Sequence, residues 1–198
     1  MIVVKKPWGY KGNMKCLICG MDINIKNYNI NSKGLLVENE SESIEYCPFC
    51  GVTAKYIKCG SEEIFKEHVE SLEHRELVIL DHAMKLEIFN SDFYKSAAVL
   101  ARSMEVKETF EALSKIERMH AIVHMRLGRF KELPKLANID YSKHKTDKSL
   151  MNLAEDRETH ASQFYEKNLK KIVNANVREI FFALSEVERD HIKIVKIN

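Results

Sequence analysis

From about residue 74 onward, apolar side chains recur at alternating three- and four-residue intervals, the period of helices that bury one face. The pattern predicts long helices near 74–103, 106–132, 148–173 and 177–196. A short helix near 62–72 precedes them, with Ser61 as its N-cap and Glu62 and Glu63 in its first turn. Pro134 ends the second long helix and opens a polar crossover, Lys135 to Asp147, while Asn174-Ala175-Asn176 breaks the last pair. Before residue 60 the text changes to short strands, at Met14–Cys16, Gly34–Val37 and Ser43–Tyr46, separated by Asn, Ser and Gly. The expected architecture is mainly α: a small β module over 1–60 and a four-helix bundle over 61–198, wired by one long crossover.

The helical part is written twice. Residues 109–120 read TFEALSKIERMH and residues 180–191 read IFFALSEVERDH. The offset is 71 residues (120 to 191), and the same offset relates Tyr94 to Tyr165, Glu87 to Glu158 and Glu117 to Glu188.

Each inward stripe is interrupted midway by a glutamate. The second helix runs Phe110, Leu113, Glu117, His120, His124, and the fourth runs Phe181, Leu184, Glu188, His191, Val195. On the first the stripe is Leu80, Met84, Glu87, Ser91, Tyr94, and on the third Met151, Glu155, Glu158, Ser162, Tyr165. Carboxylates in a dry core cost several kcal/mol each unless compensated. Two divalent cations would neutralise Glu87, Glu117, Glu158 and Glu188, with Glu155 matching the extra charge of an oxidised iron. Glutamate and histidine three residues apart share one helical face, so His120 and His191 can join their glutamates at one metal pair. A single Glu-x-x-His is usually a solvated surface pair, but two copies facing two further seam glutamates favour metal. Tyr94 and Tyr165, two turns past Glu87 and Glu158, read as core aromatics able to hydrogen-bond ligand carboxylates. His124 has Val195 as its repeat mate and reads as structural or as a proton source, and His160 falls off the seam.

Cys16-Leu-Ile-Cys19-Gly20 and Cys47-Pro-Phe-Cys50-Gly51 are two C-x-x-C-G knuckles. Four thiolates select a tetrahedral ion, iron or zinc, and a redox disulfide is the lesser reading. Iron would shuttle one electron and zinc would only hold the fold, and ligand type does not separate them. Cys59 lies outside both pairs and reads as a buried thiol.

Composition narrows the classes. The length of 198 residues supports one full core plus a small metal-stapled module. A formal charge of +2 argues neither for nor against a polyanionic partner. No apolar leader opens the chain and no run is long enough to span a bilayer, so a cytoplasmic, membrane-free protein is expected. Lys5, Lys6, Lys11 and Lys15 beside Trp8 and Tyr10 could bind a single strand, but such a stretch reads first as a solvated tail, with no nucleic-acid partner.

Together these residues resemble the rubrerythrin family, with a rubredoxin-like module placed first, as in its reverse-order members. Glu87, Glu117-x-x-His120, Glu155-x-x-Glu158 and Glu188-x-x-His191 fall where that family keeps its metal ligands, and Cys47-Pro-Phe-Cys-Gly-Val52 is similar to a second rubredoxin knuckle. Met21 stands where an aromatic usually follows the first knuckle, and the insert from Met21 to Tyr46 lacks the usual Pro- and Gly-rich stretch. The resemblance implies two iron ions in the bundle and one iron or zinc at the cysteines. It implies reduction of hydrogen peroxide by an NADH- or rubredoxin-linked external electron donor, in oxidative defence. It further implies exchange of a third-helix glutamate (Glu155 or Glu158) with His120 as ligand, and a head-to-tail homodimer. A ferroxidase-like bundle with a structural zinc ribbon is the alternative.

Overall fold

The computed structural model describes residues 4–5, 14–59 and 72–197. The expected Ser61 cap, most of the helix near 62–72, and Lys6, Trp8, Tyr10 and Lys11 lie outside the described residues.

Among the described residues the N-terminal module holds two small sheets. Strand β1 (Val4–Lys5) pairs antiparallel with β4 (Ser43–Ile44), and β2 (Met14–Cys16) lies between β3 (Asp22–Ile23) and β5 (Ile57–Cys59), both antiparallel to it. The expected strand at Gly34–Val37 is instead a 3-10 turn over Ser32–Gly34 followed by bends. Its cause is a close approach: a Cβ on Gly34 would lie 2.9 Å from Ile116 Cδ1 and 3.2 Å from Ala112 Cβ, so the chain presses on a helix rather than on a strand. Asn39 stitches the insert together. Its amide donates to the Tyr28 and Tyr46 carbonyls (2.8 and 2.9 Å), and its Oδ1 accepts from the Glu45 and Tyr46 amides. Cys59, read as a buried thiol, is exposed, because it ends β5 at the margin of the sheet.

The described residues from 72 onward form four α-helices: α1 (His74–Leu100), α2 (Met104–Leu127), α3 (Asp147–Leu169) and α4 (Ala175–Ile197). Their ends have local causes. Ser103 Oγ accepts from the Val106 amide, and Asp147 accepts from the Arg102 and Ser103 amides (2.7 and 3.0 Å), which separates α1 from α2 sharply. Helix α2 stops at Leu127, well before Pro134. Arg129 takes a positive φ of 53° and the Phe130 amide donates back to the Met125 carbonyl at 2.9 Å, a Schellman ending. Thr146 caps α3 by accepting from the Ser149 amide.

Helix α1 packs chiefly on α2, and α3 on α4. Phe93, Tyr94, Phe110, Leu113 and Leu150 fill one end of the bundle. At the other end Leu80, Val123, Tyr165, Phe181 and Leu184 form one continuous core with Met14, Ile23, Ile44, Val52 and Ile57 of the β module. The module is therefore seated on the bundle. Tyr56 Oη donates to Glu179 (2.8 Å), and the Arg126 guanidinium donates to the Cys19 carbonyl (2.9 Å). No helix among the described residues is long and apolar enough to cross a membrane.

Candidate metal centres

Between the two apolar ends lies a charged layer. Glu87, Glu117, His120, Glu158, Glu188 and His191 are each at most 1% exposed. Helical register explains their meeting, because each interrupts a stripe that is otherwise apolar, aromatic or small. Two groups of potential ligand atoms form, each with its atoms within 4.8 Å of one another: Glu87, Glu117, His120 and Glu188, and Glu158, Glu188, His191 and Glu117. The 71-residue repeat converts one group into the other, member for member. Glu117 and Glu188 belong to both groups, which is how two adjacent ions share bridging carboxylates.

The polar atoms point at something other than each other. His120 Nδ1 lies 3.3 Å from both Glu117 and Glu188, and His191 Nδ1 lies 2.8 Å from Glu117 and 3.6 Å from Glu158. None of these contacts is aligned as a hydrogen bond. Both oxygens of Glu117 and of Glu188, Oε2 of Glu87 and of Glu158, and the Nδ1 atoms of both histidines have no partner. So many orphaned buried donors and acceptors would be ruinous in a dry core, whereas two cations would satisfy them together.

The surrounding hydrogen bonds hold the ligands in place. Tyr94 donates to Glu158 and Tyr165 donates to Glu87, a reciprocal pair of bridges between α1 and α3. Having spent its proton on Glu87, Tyr165 Oη accepts from His124 Nε2 at 2.7 Å, which fixes His124 as the Nε2–H tautomer. A carbonyl can only accept, so His120 Nε2 donates to the Cys50 carbonyl (2.9 Å) and turns Nδ1 towards the glutamates.

Electrostatics agree with this geometry. Burial, reinforced by the neighbouring carboxylates, pushes the Glu87 and Glu188 carboxyls well above their ordinary range. Burial also opposes ionisation of Glu117, but the His191 and His120 rings outweigh it and hold that carboxyl low. Burial opposes charge on His120 and His191 too. Glu117 and Glu188 nevertheless raise His120 well above the imidazole range, and Glu117 with Glu158 brings His191 to about 10. His124 goes the other way, to about 3, through burial and then the nearby His120 charge. These directions favour the protonated form of His120, His191, Glu87 and Glu188 when no cation is bound, and whatever protons those four groups hold must leave for metal to bind. Loading the metal-free protein with Mn2+ near pH 7 should release roughly two or more protons per metal pair, and the affinity should fall as pH falls. A pH-indicator titration in weak buffer reads this directly. Loading without proton release would contradict the charge distribution described.

Glu155 is not brought to this layer. Its side chain is 39% exposed and pairs with Lys196 at 3.1 Å, outside both groups. The expected exchange between a third-helix glutamate and His120 also lacks its geometry: Glu155 points outward, and Glu158 sits in the His191 group rather than beside His120. His160 is exposed, off the layer.

The second centre is the set Cys16, Cys19, Cys47 and Cys50, all buried and all free thiols. Both knuckles have the same construction. Gly20 and Gly51 donate to the Cys16 and Cys47 carbonyls (2.9 Å each) at φ 75° and 73°, where a side chain would be strained. The Sγ atoms of Cys16 and Cys50, and of Cys19 and Cys47, lie 3.7 Å apart. A tetrahedral ion with metal–sulfur bonds near 2.3 Å sets its sulfurs about 3.8 Å apart, whereas a disulfide needs about 2.05 Å. Burial pushes the Cys47 and Cys50 thiols up; it opposes ionisation of Cys16 as well, but the other three thiols hold that one low.

A bundle that converges four glutamates and two histidines on one buried point, with a four-cysteine site beside it, defines a di-metal carboxylate protein. The family model described as rubrerythrin matches residues 78–196, a range that includes all six buried glutamates and histidines of the two bundle groups. The chain belongs to the rubrerythrin family, with its four-cysteine module ahead of the bundle. No curated protein and no solved structure gives a significant match.

Proposed function

We propose that this protein reduces hydrogen peroxide to water at a di-iron centre and reloads that centre through the four-cysteine site, with iron there as well. Family membership supports an oxidoreductase, and the orphaned, carboxylate-rich ligand set fits a pair of hard cations. The observation that carries the relay is the His120–Cys50 contact. One covalent stretch from the Cys50 sulfur to its carbonyl, then one 2.9 Å hydrogen bond, reaches the ring whose other nitrogen faces the glutamates. Two ferrous ions held there would supply the two electrons that, with two protons, convert one hydrogen peroxide into two waters.

The chain's own groups do the rest. Glu87, Glu117, His120 and Glu188 would hold one ion and Glu117, Glu158, Glu188 and His191 the other. Tyr94 and Tyr165 lock Glu158 and Glu87 against rotation, and neutral His124 orients Tyr165. The surrounding Phe and Leu side chains exclude bulk water. Because module and bundle touch within one chain, the relay needs no partner subunit, and an external donor would meet the module.

The deciding measurement is oxidation of the fully reduced, iron-loaded protein by peroxide and, separately, by oxygen. Fast stoichiometric oxidation by peroxide and slow oxidation by oxygen are expected. Preference for oxygen with no peroxide consumed would make the bundle a ferroxidase-type centre and end the peroxidase reading.

A further inference from the structure

The 71-residue repeat has a position where its two copies differ beside the metal layer. Three residues after Glu117 and Glu188 stand the histidines; three residues after Glu87 stands Asn90, and three after Glu158 stands Ala161. Asn90 is 1% exposed, and neither its side-chain nitrogen nor its oxygen has a hydrogen-bond partner. Asn39, buried almost as deeply, satisfies both ends of its amide. A buried amide with neither end bonded to the protein needs a partner from outside the chain, a water or a small ligand.

Its place follows from its neighbours. Around α1, Asn90 lies about 60° to one side of Glu87 and Ser91 about 40° to the other. Ser91 bonds Ser114 of α2, so the Asn90 flank turns towards α3. The Tyr94–Glu158 and Tyr165–Glu87 bridges set the antiparallel register of α1 and α3, which puts Asn90 midway between them, at the level of Ala161 and Ser162. Over the outside of this seam lies a groove of about 420 Å³, lined by Leu86, Phe89, His160, Phe164, His82 and Leu136. Around α1, Asn90 stands between Glu87 of the charged layer and Leu86 of this groove, level with Ala161 and Ser162 of α3.

We infer that Asn90 binds the small oxygen substrate on the α1–α3 side of the di-metal centre. The amide suits hydrogen peroxide, which donates and accepts: Nδ2–H donates to one oxygen and Oδ1 accepts from the O–H of the other. The inference rests on the proposed peroxide chemistry for the identity of the substrate, but its test uses a separate probe.

The probe is azide, followed by its charge-transfer band on the oxidised, iron-loaded protein. Asn90→Ala makes this position match its repeat mate, and Asn90→Leu keeps the volume without the polarity. Both should weaken azide binding by about tenfold or more, the loss of one hydrogen bond to an anion, with bundle iron content unchanged. Asn90→Ala should not lower Tm, since it removes an unsatisfied buried amide. Unchanged azide affinity in Asn90→Ala, weakening confined to Asn90→Leu, loss of an iron equivalent, or no azide band in the unaltered protein would each overturn the assignment. Peroxide oxidation of the unaltered protein reads the parent proposal alone. Its failure alongside an azide effect would end the peroxidase reading and leave Asn90 as the contact for a small anionic ligand.

Discussion

Glu188→Leu should strip both metals from the bundle and, in the metal-free state, make it more stable rather than less. Glu188 belongs to both ligand groups, so its loss weakens both positions, unlike loss of Glu87 or Glu158, each of which serves one. Metal bound to the bundle, counted by elemental analysis, should fall towards zero, and peroxide turnover should drop more than about a hundredfold. The four-cysteine metal should remain, because no member of that set touches the Glu188 carboxylate. The stability change has the opposite sign because burial and the Glu117 and Glu158 carboxylates disfavour ionised Glu188 when no cation is present. An apolar side chain of similar size removes that conflict, with a gain on the order of 1 kcal/mol. Thermal melts of the metal-free pair, unaltered and variant, measure it. A variant that keeps its metal would deny Glu188 its bridging place.

Cys47→Ser should separate single turnover from steady state. The substitution removes one of four thiolates, and the module should lose its ion or hold it weakly. The bundle should still fold and, once chemically reduced, should oxidise once with peroxide at nearly the original rate, since its ligands are untouched. Steady-state turnover with an external donor should fall by about two orders of magnitude, because the path through Cys50 and His120 has lost its source. Stopped-flow oxidation beside a donor-coupled assay distinguishes the two. Unchanged steady-state turnover would remove the relay. The colour of the pure protein adds an independent reading, since iron at four thiolates absorbs visible light and zinc does not.

Much of the centre was legible because period and chemistry coincide. Glu87, Glu117, Glu158 and Glu188 each stand at a stripe position where a hydrophobe belongs, and the repeat assigns each a mate, so four isolated observations become one. The knuckles were legible for a similar reason, since C-x-x-C-G constrains backbone and ligand at once. Glu155 misled because it also satisfies the seam spacing. Its repeat mate is Met84, which is buried, but α3 turns position 155 towards solvent and Lys196 receives it there. The end of α2 was misplaced because proline is the loudest stop signal, whereas the turn at Gly128 and Arg129 acts first. The Gly34–Val37 strand failed because pressure from Ile116 is a tertiary fact. Asn90 carries no motif; only burial without a partner reveals it.

The sharing of Glu117 and Glu188 between both positions bears on how such a bundle could arise. Neither helical hairpin, α1–α2 or α3–α4, carries a complete ligand group, since each lacks one bridging glutamate. Two identical hairpins meeting about a two-fold axis would assemble four glutamates and two histidines in the same relation, with the Tyr–Glu bridges crossing between them. An excised α1–α2 hairpin is therefore expected to be a metal-dependent homodimer, and the long crossover to have fused what association first made.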